Sequence, residues 1–408
     1  MNTFSLAIKG LQHKPLHTIL STLAISMGIA MLTSVFLIST GLSDGLKRNN
    51  AGIDIVAGAK GSPLQLILST IYHTDVPIGN IDMSDFEKIR QNSMVKKAIP
   101  IVIGDHFEGA RIVGTTPDFL DLYQAKFEDG GIFLKPFDIV AGAKTTVKTG
   151  QEFAAHHGFT SDDAAHDGDI HDEHLYKVVG RLAPTGTVLD RLLITPYASV
   201  QELHAHHDHD EEEGELHSSE NHDKTEQKIT AILIKARNHA SVMNLPRMIN
   251  NTEQVQAANP QYELTRLSKT LGIGRDVLNA LAASVLGLSL LMLFATLASS
   301  LTERRHDMAV LRVLGASPTK LFTTLMTEGV LLGAIGSLIG IVFGHILAYS
   351  LSQILGSFEG IILRNDLLSI HPFDIVLFAI GCGAGILGAL PAAISAARTD
   401  IAKLLVKS

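Results

Sequence analysis

Four long stretches of this chain carry no charged side chain, and they restrict it to few architectures. Thr18–Leu42, Val277–Leu301, Gly329–Phe358 and Ile375–Ala397 contain no Asp, Glu, Lys or Arg. Each exceeds the roughly 20 residues that a helix needs to cross about 30 Å of hydrocarbon. A water-soluble fold would have to bury all four runs within 408 residues of which 46% are hydrophobic. Membrane helices are the simpler solution. The first run is about twice as long as the apolar core of a cleaved signal peptide and has no A-x-A site after it, so it is expected to stay. The single cysteine, Cys382, lies in the fourth run and is read as a small packing residue.

Basic residues near the spans set the expected orientation. Lys9 and Lys14 precede the first span. Arg304, Arg305, Arg312 and Lys320 lie between the second and third, and Arg398, Lys403 and Lys407 follow the fourth. The loop between the third and fourth has only Arg364, beside Glu359 and Asp366. Both termini and the 302–320 loop are therefore expected in the cytoplasm, with the long central segment outside.

The expected organisation is a membrane protein of four transmembrane α-helices, one plus three, with a large α+β external domain between the first two. Residues 1–43 hold an amphipathic start and the first span, and 44–276 the domain with its stalk ends. Residues 277–301 form the second span, 302–320 a cytoplasmic helix, 321–358 the third span, 359–374 a short external loop, 375–397 the fourth span and 398–408 a tail. Within the domain, Ala98–Ile103, Ala110–Gly114, Tyr176–Leu182 and Ile229–Lys235 read as strands, being short apolar or β-branched runs between turn residues. Ser84-x-x-Glu87 has the capping-box pattern and is expected to open a helix through Gln91. Pro63–Tyr72 and Ala240–Asn251 read as further helices.

His204–Glu226 differs from its surroundings. It carries nine acidic residues and one lysine, a balance equal to the whole chain's net charge of −8. Its few apolar residues predict a mobile loop. HAHHDHD, His204–Asp210, sets four imidazoles and two carboxylates in seven residues. Imidazole suits zinc and similar metals, so His204, His206, His207 and His209 are candidate zinc ligands. His156, His157, His166, His171 and His174 could add to them. The bland alternative is a solvated polar insertion without a fixed site.

DIVAGAK occurs twice, at Asp54–Lys60 and Asp138–Lys144. A phosphate-binding P-loop needs G-x-x-x-x-G-K-[ST], which neither copy supplies. No other stretch offers that motif, so the chain is expected not to hydrolyse ATP by that route. A repeated strand-and-turn and a duplicated subdomain both remain open.

Thr302–Lys320, TERRHDMAVLRVLGASPTK, sets Met308, Leu311 and Leu314 at helical spacing among Arg304, Arg305 and Arg312. A short amphipathic helix ending at Gly315 and Pro318 follows. On pattern alone it either anchors to lipid headgroups or docks on a partner. Gly336, Gly340 and Gly344 form a small-xxx-small row on the third span, as do Gly381 and Gly385 on the fourth. Such rows serve either packing within the chain or a dimer seam. In the third span, Glu328 is read as snorkelling or paired with a loop arginine, and His345 either as a hydrogen-bonded packing residue or as a proton or ligand site.

At these motifs the chain resembles permeases of the MacB/FtsX/LolC type, the type VII ABC transporters. Their cytoplasmic signature resembles E-R-R-x-E-I-x-x-L-R-x-L-G-A. Glu303, Arg304, Arg305, Leu311, Arg312, Leu314, Gly315 and Ala316 match it, with Asp307 and Met308 as mild departures. SLAIKGLQHKPLHTILSTLAISMG near the start and LPAAISAARTDIAKLL near the end also fit. The resemblance implies a homodimeric permease of the bacterial inner membrane, with the 303–316 helix docked on a separate cytoplasmic ATPase that carries ATP and magnesium. It implies mechanotransmission: the stalk carries nucleotide-driven motion to the external domain, and a hydrophobic or envelope substrate is moved there. A periplasmic adaptor or lipoprotein and membrane lipid are expected partners, and nucleic acid is not. Two other classes stay in view: an FtsX-like regulator of an envelope enzyme that transports nothing, and a zinc carrier or sensor built on the histidine-rich loop.

Overall fold

The computed structural model describes residues 3–13, 15–50, 52–158, 174–210, 227–303, 317–354 and 369–397. In chain order the elements are α1 (Thr3–His13), α2 (Pro15–Asn49), β1 (Ile55–Ala59), α3 (Pro63–Thr70), β2 (Ile81–Asp82), α4 (Met83–Arg90), β3 (Val95–Phe107), β4 (Ala110–Thr115), α5 (Asp118–Leu122), β5 (Phe127–Gly130), β6 (Asp138–Ala141), β7 (Glu152–Phe153), β8 (His156–His157) and β9 (Tyr176–Leu182). A 3-10 turn at Val188–Arg191 then leads to β10 (Leu193–Pro196) and α6 (Tyr197–Asp210). They are followed by β11 (Lys228–Ile229), β12 (Ala231–Ala236), α7 (His239–Asn250), β13 (Val255–Ala258), α8 (Pro260–Glu303), α9 (Pro318–Ile354) and α10 (Pro372–Ala397).

The chain divides into a helical unit and a sheet unit, the latter running from Leu42 to Lys269. Among the described residues four helices are long and apolar enough to cross a membrane: Pro15–Asn49, Asp276–Ala295 within α8, Pro318–Gln353 and Pro372–Ala397. The sheet unit lies between the first and second of them in sequence. This is the one-plus-three order expected above.

The sheet unit is built on one large mixed sheet of order β13-β1-β12-β3-β4-β10-β6-β9-β5. Most neighbours are antiparallel, but β10 runs parallel to β4, and β9 parallel to β6. Central strands read as near-continuous apolar runs because both faces are covered. Alternate residues enter two cores: Val56, Ile101, Val113 and Ile194 face one, and Ile55, Val102, Ile112 and Leu193 the other. Leu46 of α2 and Leu264 of α8 belong to the first core, so the sheet unit contains the ends of both helices.

Three local expectations need correction. The Ser84-x-x-Glu87 pattern does not cap its helix. Asp82 is the N-cap residue, in extended conformation, and makes no side-chain cap bond. β2 feeds straight into the helix, which moves its start ahead of Ser84. Ile229–Lys235 is not one strand. β11 pairs with β2 in a separate two-stranded sheet, whereas β12 joins the large one. The break is Thr230, whose backbone N–H donates to Ile101 O and whose hydroxyl accepts from Ile103 N. The loop expected from His204 begins later, because α6 continues through Asp210.

Both DIVAGAK copies enter strands, β1 and β6, but their pairing differs. β1 is antiparallel to β12 and β13, and β6 is antiparallel to β10 and parallel to β9. Each leading aspartate ties down nearby backbone. Asp54 Oδ2 accepts from Ala236 N at 2.9 Å, and Asp138 Oδ2 accepts from Lys135 N at 2.9 Å. The first bond crosses 182 positions of sequence and the second only three, so the two copies share a strand start but neither its pairing nor the partner of its aspartate.

Candidate functional site

The end of α2 is fastened into the sheet unit by buried hydrogen bonds. Asn49, its last residue, is 0% exposed. Its side-chain oxygen accepts from Val188 N at 2.8 Å, and its backbone carbonyl accepts from the Tyr123 hydroxyl at 3.0 Å. One turn earlier, the Leu46 carbonyl accepts from the Tyr72 hydroxyl at 3.0 Å. Burial pushes both phenols well above their ordinary range, so they remain donors. Val188 opens a turn that is itself braced. Asp190 accepts from Thr185 N, the Thr185 hydroxyl and Gly186 N at 2.7 to 2.9 Å.

Within the helical unit, both glycine rows lie at close helix approaches. A Cβ on Gly340 would stand 2.6 Å from Ser26 O, and one on Gly344 would stand 2.5 Å from the Thr33 side chain, so this row faces α2. The Ser34 hydroxyl of α2 donates to Gly344 O at 3.1 Å, the short approach that the missing Cβ permits. On α10, a Cβ on Gly385 would stand 2.1 Å from Gly329 O of α9. Gly336 approaches Ile25, and Gly381 approaches Ser337, in the same two seams.

His345 sits in this unit, buried, with Nε2 3.2 Å from Asp374 Oδ2. Asp374 is in the first turn of α10 and also accepts from His371 N at 2.7 Å. Sequence reasoning had His345 without Asp374, because the charge of Asp374 put it outside the fourth span. Glu328 is 3% exposed inside the unit, which argues against snorkelling.

Of the expected docking helix, Glu303 closes α8, whereas Arg304, Arg305, Asp307, Met308, Leu311, Arg312, Leu314, Gly315 and Ala316 lie outside the described residues. His204, His206, His207 and His209 lie along the C-terminal half of α6. Among the described residues no group of three His, Cys, Asp or Glu could hold a metal ion.

A further buried group escaped the sequence. His73 has left-handed backbone (φ 50°), and neither ring nitrogen has a hydrogen-bond partner. Burial, with the charges of Arg111 and Arg191, lowers its pKa to about 3. Arg111 reaches the same loop, donating to Asp75 O at 2.8 Å. An isolated histidine in a linear sequence gives no signal of such surroundings.

Comparison with known proteins covers both units. A model for the MacB-like periplasmic core domain matches residues 18–249, more than half the chain, and a model for the FtsX-like permease C-terminal domain matches 279–401. The cell division protein FtsX of Bacillus subtilis is 24% identical over 39% of this chain and 55% of its own length. The lipoprotein-releasing system transmembrane protein LolC of Xylella fastidiosa (strain Temecula1) is 30% identical over 24% of each chain. The chain thus spans about half of the first relative and a quarter of the second. The periplasmic region of MacB from Actinobacillus actinomycetemcomitans aligns with 54% of this chain and 97% of its own, at 13% identity and a TM-score of 0.33.

Proposed function

The chain belongs to the family of ABC-transporter permeases with a MacB-like periplasmic core domain and an FtsX-like C-terminal domain, and from that premise we propose that it couples ATP hydrolysis on a separate subunit to movement of its sheet unit. In this reading it lies in the inner membrane of a bacterium, with both termini and residues 302–320 in the cytoplasm. A cytoplasmic ATPase carrying ATP and magnesium docks on Glu303–Ala316, a second permease copy completes the assembly, and a periplasmic adaptor or lipoprotein receives or supplies the cargo. The cargo is a hydrophobic or envelope molecule moved on the outer side, so the spans need no polar path.

The observation that carries this reading is the fastening of Asn49. A 35-residue helix is about 50 Å long, well beyond the roughly 30 Å of hydrocarbon, and its far end is built into the sheet core. A helix of that kind transmits displacement.

The test is coupling. With the cognate ATPase, Arg312→Glu reverses charge on the docking segment, and Gly315→Pro breaks its end at about 3 kcal/mol if that end is helical. Both variants should insert normally and fail to stimulate the ATPase. Normal complex formation and normal stimulation in both would leave 302–320 as a lipid anchor only. The relative named as a cell division protein favours a second reading, control of an envelope enzyme without cargo. A purified complex that stimulates such an enzyme and moves no lipoprotein or lipid would decide for it.

A further inference from the structure

We propose that the sheet unit carries a binding groove for a compact zwitterion, a group that sets an ammonium within a few atoms of a phosphate or carboxylate. This goes beyond the coupling role and does not rest on it. The groove, about 500 Å3, lies between β5 and the loop that follows β6, with Arg181 of β9 also lining it. Its size falls within the roughly 300–1,000 Å3 of small-ligand sites. None of its lining side chains is aromatic or aliphatic, so it suits a polar ligand.

Both walls hang on one strand. The Gly131 N–H donates to Val179 O at 3.2 Å, and the Gly150 N–H donates to Val178 O at 2.7 Å. β5 sits tight against β9: a Cβ on Gly130 would stand 2.2 Å from Val179 O. Arg181 holds the loop opposite. Its Nη1 donates to Val147 O at 2.8 Å, and its Nη2 to Ala143 O at 2.7 Å and Thr145 O at 3.2 Å. The Thr146 hydroxyl donates to Glu108 and ties the loop to the turn between β3 and β4. Bonds to backbone thus set the separation of the walls before any ligand arrives.

The walls carry opposite charge. Glu128 and Asp129 of β5 line one, and Lys148 and Thr149 the other, all four exposed. Arg181 is engaged by the three carbonyls, with its Nε 4.0 Å from Glu128. Asp129 Oδ1 accepts from Gly130 N at 2.9 Å, and among the described residues neither Asp129 nor Lys148 forms an ion pair. A carboxylate and an ammonium therefore line the same groove without closing on each other. A ligand of one charge pairs with one wall and is repelled by the other. A zwitterion pairs with both, its ammonium on Asp129 and Glu128 and its anionic end on Lys148 and Thr149. Because both walls are exposed, salt should weaken the binding.

Calorimetry on the full chain in a nonionic detergent at low salt tests this. Glycerophosphoethanolamine and alanine serve as zwitterions, and ethanolamine and dimethyl phosphate as probes of a single charge. At least one zwitterion should bind about fivefold more tightly than either single-charge probe, the effect of one exposed ion pair. Lys148→Gln and Asp129→Asn should each weaken it by about the same factor, whereas Lys148→Arg, which keeps the charge, should retain it. Asparagine still offers the Gly130 N–H an acceptor, so melting temperatures should stay as in the wild type. Tighter binding of glycerophosphoethanolamine would identify a phospholipid headgroup as the ligand, and tighter binding of alanine a free amino acid or peptide end. No saturable binding of either zwitterion would overturn the site. So would a single-charge probe that binds as tightly, or binding unchanged in both Lys148→Gln and Asp129→Asn. Equal losses in Lys148→Arg and Lys148→Gln would overturn the role of charge.

Discussion

The side-chain oxygen of Asn49 accepts the Val188 amide at 2.8 Å across 139 positions of sequence, joining the last residue of a membrane-crossing helix to a turn beside the central sheet. Val188 is 1% exposed, so the amide has no water to fall back on. Asn49→Ala should destabilise the sheet unit by about 1–3 kcal/mol, the cost of an unsatisfied buried donor. Tyr123→Phe removes only a hydroxyl and should cost about 1 kcal/mol. Thermal unfolding of the full chain in detergent measures both. If the helix end transmits force, Asn49→Ala should also weaken ATPase stimulation more than its stability loss explains.

His73 makes the fold sensitive to acid. Its pKa is about 3 in the folded chain and about 6.5 when unfolded. Below pH 6.5 the unfolded chain takes up a proton that the folded chain refuses, so stability falls as pH drops toward 3, by up to about 1.4 kcal/mol per pH unit. Above 6.5 the group has no effect. His73→Asn removes the titration and keeps a side chain that tolerates left-handed backbone. The variant should lose less stability than the wild type between pH 6.5 and 4, and equal losses would show that other groups govern acid unfolding.

The helix seams predict a contrast on one helix. A Cβ on Gly385 would meet the Gly329 carbonyl at 2.1 Å, backbone against backbone, whereas a Cβ on Gly383 has nothing within 4 Å. Gly385→Ala should force α9 and α10 apart at about 1–3 kcal/mol. Gly383→Ala should leave the melting temperature in detergent unchanged or slightly raised.

The parts of this architecture that were legible in the sequence are those fixed by local composition. An uncharged run longer than a bilayer is thick has one outcome, so the four spans and their order could be read directly. The apolar or β-branched runs within β3, β4 and β9 could also be read. Four-residue strands such as β5 and β10 could not, because their identity comes from the neighbours they pair with. Ser84 and Glu87 show the limit of a local motif: the pattern is present, but β2 delivers the chain to its helix ahead of Ser84. Asp374 shows another limit. Its charge placed it in a loop, while its partner is 29 residues away on another helix. Likewise, the small residues of the two glycine rows were visible, but the facing Ser26, Thr33 and Gly329 depend on tertiary packing.

The histidines at 204, 206, 207 and 209 give the final prediction, that the full chain binds zinc through them with micromolar affinity and does not need it to fold. α6 carries their backbone in helical form as far as Asp210, while residues 211–226, which are strongly acidic, lie outside the described structure. Positions three apart on a helix share a face, so His204 pairs with His207 and His206 with His209 rather than all four together, which keeps the affinity below that of structural zinc sites. Imidazole must be deprotonated to bind, so affinity should fall as pH drops through about 6.5. The two cores of the sheet unit use none of these four residues, so chelator should leave the melting temperature unchanged. Calorimetry on the full chain and on a variant with all four histidines changed to alanine tests the assignment. Equal zinc binding by both would clear these residues of a metal role, and a large fall in melting temperature on adding chelator would show that metal supports the fold itself.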